Sequence, residues 1–170
     1  MSIDKIIIIK NMDGTCSILH PAPEMFNKNS RTRIELTNTG IILNTDEEVL
    51  NYIINKDVPE GLEFRIADIN VLPVDREFRA AWTDENDGNM VDIDINKAIE
   101  IKKDVLRELR KPKLQELDVA YIRAEEIGDL NAKNEVIAKK QELRDITNLD
   151  YPTDIEELKV FLPDCLKEQV

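Results

Sequence analysis

Histidine occurs once in this chain of 170 residues and cysteine twice, so the side chains that most often ligate metals or act as nucleophiles are nearly absent. Cys16 and Cys165 stand near opposite ends, which excludes a disulfide framework. With His20 as the sole imidazole, a zinc site of four protein ligands would have to recruit carboxylates. The two thiols therefore read as idle groups in a reducing compartment. Glycine is scattered singly at positions 14, 40, 61, 88 and 128, which removes both the phosphate-cradling loop and the dinucleotide fingerprint. No apolar run exceeds four residues, far short of the roughly 20 that a membrane span requires. The first residues place no basic segment before an apolar stretch, so no secretory signal is expected. No cofactor and no metal are expected, and catalysis is not.

Charge is present in quantity and mostly of one sign. The net charge is −12 while 42% of residues are apolar, which is an ordinary fraction for a folded chain and too high for a disordered one. Acids exceed bases by nine over residues 1–94 and by four over 147–170, while residues 95–146 are close to neutral. The central stretch interleaves both signs, with Glu135 four residues before Lys139, as on a solvated helix face. Such a chain repels phosphates, so nucleic acid is not an expected partner.

The hydrophobic pattern implies an α+β chain with a small N-terminal β-hairpin and α unit (1–94) followed by an antiparallel helical hairpin with a short last helix (95–170). Residues 4–10 form a strand whose unbroken isoleucines demand cover on both faces, Asp13-Gly14 turns it, and residues 15–19 return. Residues 31–36 alternate loosely and 41–43 read as their returning strand. Thr45 with Glu48 makes a capping box before Val49, Leu50, Ile53 and Ile54, and Asp57-Val58-Pro59 stops that helix. Residues 62–67 alternate as a half-buried strand, residues 72–82 form an aromatic connector, 84–89 a polar turn and 90–93 a short strand. Beyond residue 95, Ile95, Ile99, Lys102, Leu106 and Leu109 define one stripe; Leu114, Leu117, Tyr121 and Ala124 define the next. Pro112 between them either begins a second helix at its first turn or kinks one long helix. Gly128-Asp129 is a stop followed by a cap, and Ala132, Val136, Lys139, Leu143 and Ile146 make the returning stripe. Thr153 with Glu156 reads as a second capping box, ahead of Leu158, Phe161 and Leu162.

Candidate reaction centres fail on spacing. A calcium loop centred on Gly88 would put Thr83 in the first ligand position and Asp94 in the bidentate one, so Asp87-Gly88 reads as an acidic turn. His20 has no nucleophile motif beside it. The adjacent pairs Glu47-Glu48 and Glu125-Glu126 diverge by about 100° on a helix and do not converge on one site. Trp82, Phe78 and Arg79 are of the residue types that anchor interfaces, and equally of the types that fill cores.

Six motifs stand in order across the second half: Asp75-Arg76-Glu77-Phe78-Arg79-Ala80-Ala81-Trp82, Val91-Asp92 leading into a helix, Arg107-Glu108-Leu109-Arg110, Leu114-Gln115-Glu116-Leu117-Asp118, Ala124-Glu125-Glu126-Ile127-Gly128-Asp129, and Lys140-Gln141-Glu142-Leu143-Arg144-Asp145. Together they resemble a family of small bacteriophage and prophage proteins described as tail or tail-fibre assembly chaperones, or as phage structural proteins. Upstream, the Asp13-Gly14 hairpin, Pro21-Ala22-Pro23, Asp57-Val58-Pro59 and Phe64-Arg65-Ile66 fit the same layout, with residues 31–43 as an insertion. The resemblance implies a non-catalytic protein that binds a phage tail or tail-fibre protein in the host cytoplasm during assembly, and carries over no catalytic residue. Phe78, Arg79, Trp82, Leu106, Leu109, Leu117 and Tyr121 are the partner-binding candidates. A permanent place in the tail or neck of the virion is the first alternative, with self-association left open; an acidic DNA mimic and a carboxylate-dependent metal enzyme are the others.

Overall fold

The computed structural model describes residues 4–85 and 90–167, and the chain divides into two compact units, Met1–Ile93 and Asp94–Val170. The architecture is α+β, with a small antiparallel sheet in the first unit and packed helices in the second. The Asp87-Gly88 loop weighed above as a calcium site lies outside the described residues.

The first unit is built on β1 (Lys5–Lys10), the middle strand of a three-stranded antiparallel sheet, with β2 (Cys16–Leu19) on one side and β3 (Phe64–Asp68) on the other. Its four isoleucines are all buried because both faces of the sheet are covered. Ile6 and Ile8 pack with Cys16, Ala67, Leu72, Trp82 and Val91, whereas Ile7 and Ile9 pack with Met25, Val49, Ile53 and Ile54. The turn between β1 and β2 takes Gly14 at φ 78°, and the Asp13 carboxylate accepts from the Thr15 amide at 2.9 Å.

The helix that covers Ile7 and Ile9 is α2 (Asp46–Asp57), opened by the expected capping box: the Thr45 hydroxyl accepts from the Glu48 amide, and the Glu48 carboxylate from the Thr45 amide. Residues 31–38, by contrast, are not a strand. They form α1 (Arg31–Asn38), capped by Ser30, and residues 41–43 return no strand. A buried cation accounts for the difference. Arg33 is 6% exposed and its guanidinium donates to the carbonyls of Met25 and Leu43, so the helix is held by polar stitches rather than by an apolar stripe. Gly40, at φ 89°, closes α1 in a Schellman motif: its amide reaches the Thr37 carbonyl, and the Ile41 amide that of Leu36.

After β3 the connector leads through a short turn at Arg79–Ala81 into β4 (Trp82–Thr83), which pairs with β5 (Asp92–Ile93). The strand expected over 90–93 is thus limited to its last two residues.

The second unit begins with α3 (Ile95–Glu126), capped by the Asp94 carboxylate. Pro112 lies inside this one continuous helix at an exposed position, so of the two alternatives left by the sequence the single long helix is realised. Gly128, at φ 71°, ends it in a second Schellman motif, with the Gly128 amide on Glu125 and the Asp129 amide on Ala124. Asp129 then caps α4 (Leu130–Asp145), which packs back along α3. The last helix, α5 (Ile155–Val160), starts one residue later than the expected capping box. Asp154, not Thr153, is the cap and accepts from the Glu157 amide at 3.0 Å; Leu158 is then fully buried. The core of this unit joins Leu106, Leu143, Ile146 and Leu166, with Leu114, Leu117, Tyr151 and Phe161 against it.

Three bases of α3 tie the chain around this core. The Lys102 ammonium, 7% exposed, donates to the Lys159 carbonyl at 2.6 Å. The Arg110 guanidinium donates to the Leu143 and Arg144 carbonyls at 3.1 and 3.0 Å, occupying free acceptors at the end of α4 where a cation is favoured. Lys113 donates to the carbonyls of Cys165, Leu166 and Lys167. Among the described residues no helix is long and apolar enough to cross a membrane.

Candidate partner-binding site

The seven residues singled out in the sequence separate into three groups. Phe78, Trp82 and Leu106 are 2%, 4% and 0% exposed, so they are core residues. Aromatic and aliphatic side chains that would anchor an interface bury as much area when they fill a core, and here the core takes them. Leu117 packs half-buried against the Leu106 and Leu143 cluster. Tyr121 is engaged within the hairpin: the ammonium groups of Lys133 and Lys140 lie 5.3 and 5.5 Å from its ring centroid. Those two lysines pair with Glu125 and Asp118, and the hydrogen bond to Glu125 is the main reason the Lys133 ammonium is held above its ordinary pKa. Only Arg79 and Leu109 remain exposed.

Two of the concavities bear on partner binding, one lined by none of the seven and one by Arg79 and Trp82. The larger is a groove of about 1050 Å³ in the second unit, formed by the last turns of α4, the segment after it, α5 and the turn that follows. Its apolar lining includes Ile146, Leu149, Val160, Phe161 and Leu162, of which Val160 is 81% and Leu149 43% exposed. The lining is held by the Tyr151 hydroxyl, which donates to the Ile146 carbonyl at 2.7 Å, and by the Tyr151 ring packed 5.0 Å from that of Phe161. The lining also includes Glu142, Asp145, Asp150, Glu157 and Asp164. The one basic residue lining the groove, Lys167, is bonded to Asp164 at 2.6 Å, and that contact holds the Asp164 carboxyl below its usual range. A lining of apolar side chains interspersed with five carboxylates matches an amphipathic segment that carries apolar anchors and flanking bases.

The smaller concavity, about 420 Å³, lies in the first unit beside β2, where Cys16, Ser17, Ile18 and His20 face Arg76, Arg79, Ala80 and Trp82. Ser17 and His20 do not form a nucleophile and base, because the Ser17 hydroxyl donates to the Asn11 side chain. The indole N–H of Trp82 is the single buried side-chain polar atom without a hydrogen-bond partner among the described residues. A buried donor left so costs about 1–3 kcal/mol. Burial, reinforced by the charge of Asp84 and opposed by Arg65, pushes the Cys16 thiol up to about 11, so it is not a thiolate at neutral pH.

Behind this pocket the sequence concealed a buried ion pair. Asp84, assigned above to a polar turn, has a side chain 2% exposed and accepts from Arg65 twice, at 2.8 and 2.6 Å. Nothing in the hydrophobic pattern announces it, because its partner is 19 residues earlier on β3. Among the described residues no three His, Cys, Asp or Glu side chains converge as a metal-ligand set.

Taken together, fold and site define an α+β chain whose largest concavity among the described residues is a groove on a helical unit, lined by apolar side chains and carboxylates. Comparison with family models, with curated proteins and with solved structures finds no match for this chain.

Proposed function

We propose that this chain is a phage tail or tail-fibre assembly protein that works by binding another protein and performs no catalysis. The observation that carries the reading is the groove of the second unit, where Leu149 and Val160 stand open to solvent among five carboxylates. The ordered motifs over residues 75–145 supply the phage context. Binding uses groove residues rather than the buried Leu106, whose loss would act through folding.

The test is co-expression of the full chain with the tail and tail-fibre proteins of the phage that encodes it. One of these proteins is expected to co-purify, and Val160→Glu with Leu149→Glu to abolish co-purification while leaving the melting temperature unchanged. Retention of the client by that double variant, or failure of every tail protein to be retained, would overturn the reading. Mass spectrometry of purified particles against lysate then separates a departing chaperone from a part of the virion: a fixed copy number in particles marks the second.

A further inference from the structure

We infer that the pocket beside β2 is a recognition site for a carboxylate-bearing, extended segment of a protein partner, gripped by Arg76 and Arg79. This inference is independent of the groove and of the phage reading. Arg76 and Arg79 are exposed, line one pocket, and form no ion pair among the described residues, in a chain whose acids outnumber its bases by 12. Elsewhere in the first unit Lys5 pairs with Asp68, Lys10 with Glu63, Arg31 with Glu35 and Arg65 with Asp84. The backbone of Arg76 and Arg79 is fixed, since the Arg79 amide donates to the Arg76 carbonyl at 3.2 Å and Ala81 and Trp82, which follow, are buried. A planar guanidinium fork fits a carboxylate bidentately.

The second observation is the orphaned indole N–H of Trp82, on the residue that forms a wall of the same pocket. That donor is shielded from solvent. The location favours a peptide over a free anion. In its sheet β2 is an edge strand bonded only to β1, and an extended segment can align along such an edge while its side chains enter the pocket. The net charge favours a single carboxylate over a polyanion, because a phosphate chain meets the repulsion of the whole molecule.

Trp82 is the sole tryptophan, so its emission reads the pocket directly in the full chain. The probes are a blocked Val-Glu-Val-Glu-Val peptide, its Val-Gln-Val-Gln-Val counterpart, and inorganic phosphate. The Glu peptide is expected to change the emission saturably and the Gln peptide not to. The double variant Arg76→Gln with Arg79→Gln, folded by circular dichroism because both side chains are exposed, is expected to raise the Kd tenfold or more, while the double Lys variant is weakened less. Equal responses to the two peptides, tighter binding of phosphate than of the Glu peptide, an unchanged Kd in the Gln double variant, or no saturable change in emission together with no heat by calorimetry would each overturn the inference.

Discussion

Replacing Asp84 by Asn removes one charge of the buried pair while keeping the shape of the side chain. The Asp84 carboxylate is almost wholly buried and accepts two charge-assisted hydrogen bonds from an Arg65 side chain that is 20% exposed. Removing one partner of a buried pair costs about 3–5 kcal/mol, because the remaining ion keeps its desolvation without its counter-charge. Arg65 retains some access to water, which places the expected loss near the lower end, about 3 kcal/mol. A unit of this size is stable by roughly 5–15 kcal/mol, so the change is a large fraction of the whole. With a urea slope of about 2 kcal/mol per molar, the unfolding midpoint should fall by about 1.5 M. Trp82 emission is the readout, since that ring packs in the core on the same face of the sheet as Cys16 and Ile8. Arg65→Met combined with Asp84→Leu should recover much of the loss, because an apolar pair of similar volume carries no desolvation debt. A loss below about 1 kcal/mol for Asp84→Asn, or a double variant as unstable as the two single losses added, would refute the reasoning.

The thiol of Cys16 gives a pH dependence. Its folded pKa is raised from 9.0 to about 11, first by burial, so the unfolded chain loses the proton at lower pH than the folded one. The stabilisation is complete below pH about 9 and is lost as pH rises towards about 11; urea titrations of wild type and Cys16→Ala should therefore diverge progressively over that window. Gly128→Ala meets nothing within 4 Å, so its cost is the left-handed backbone alone, about 1–2 kcal/mol, read as a lowered melting temperature of the helical unit.

Much of the fold was legible because it follows from local chemistry. The isoleucine run of β1 announced cover on both faces, Thr45 with Glu48 announced the start of α2, and Gly128-Asp129 announced the reversal between α3 and α4. Two of the misreadings arise where polar side chains do the work that pattern reading assigns to apolar ones. Residues 31–38 are helical because buried Arg33 bonds two distant carbonyls, and no apolar period reveals that. In α3 the inward stripe passes from Leu106 to Arg110 rather than to Leu109, which is 49% exposed. An arginine four residues after a buried leucine scores as surface by hydropathy, although its stem packs and its fork caps α4. The candidate site was misread for a different reason, the choice of residues by type. Trp82 and Phe78 drew attention by residue type and went to the core, while the groove depends on Leu149 and Val160, whose neighbours are fixed by the way α5 returns.

The inward bases of α3 also change what the charge sum means. Residues 95–146 are nearly neutral as a sequence, which suggests a surface of mixed sign. Yet Lys102, Arg110 and Lys113 direct their charged ends to backbone carbonyls at residues 159, 143–144 and 165–167. Their positive charge neutralises the dipoles of chain ends and is withdrawn from the outer face, while Glu142, Asp145, Asp150, Glu157 and Asp164 stay around the groove. The bases of α3 that fasten the segment after α4 are thus bonded to its carbonyls and do not line the groove, whereas five carboxylates do. A partner with apolar anchors would meet that field before contact, so its flanking bases would be expected to set the rate of association, and added salt to slow it, more than they alter the dissociation of the seated complex.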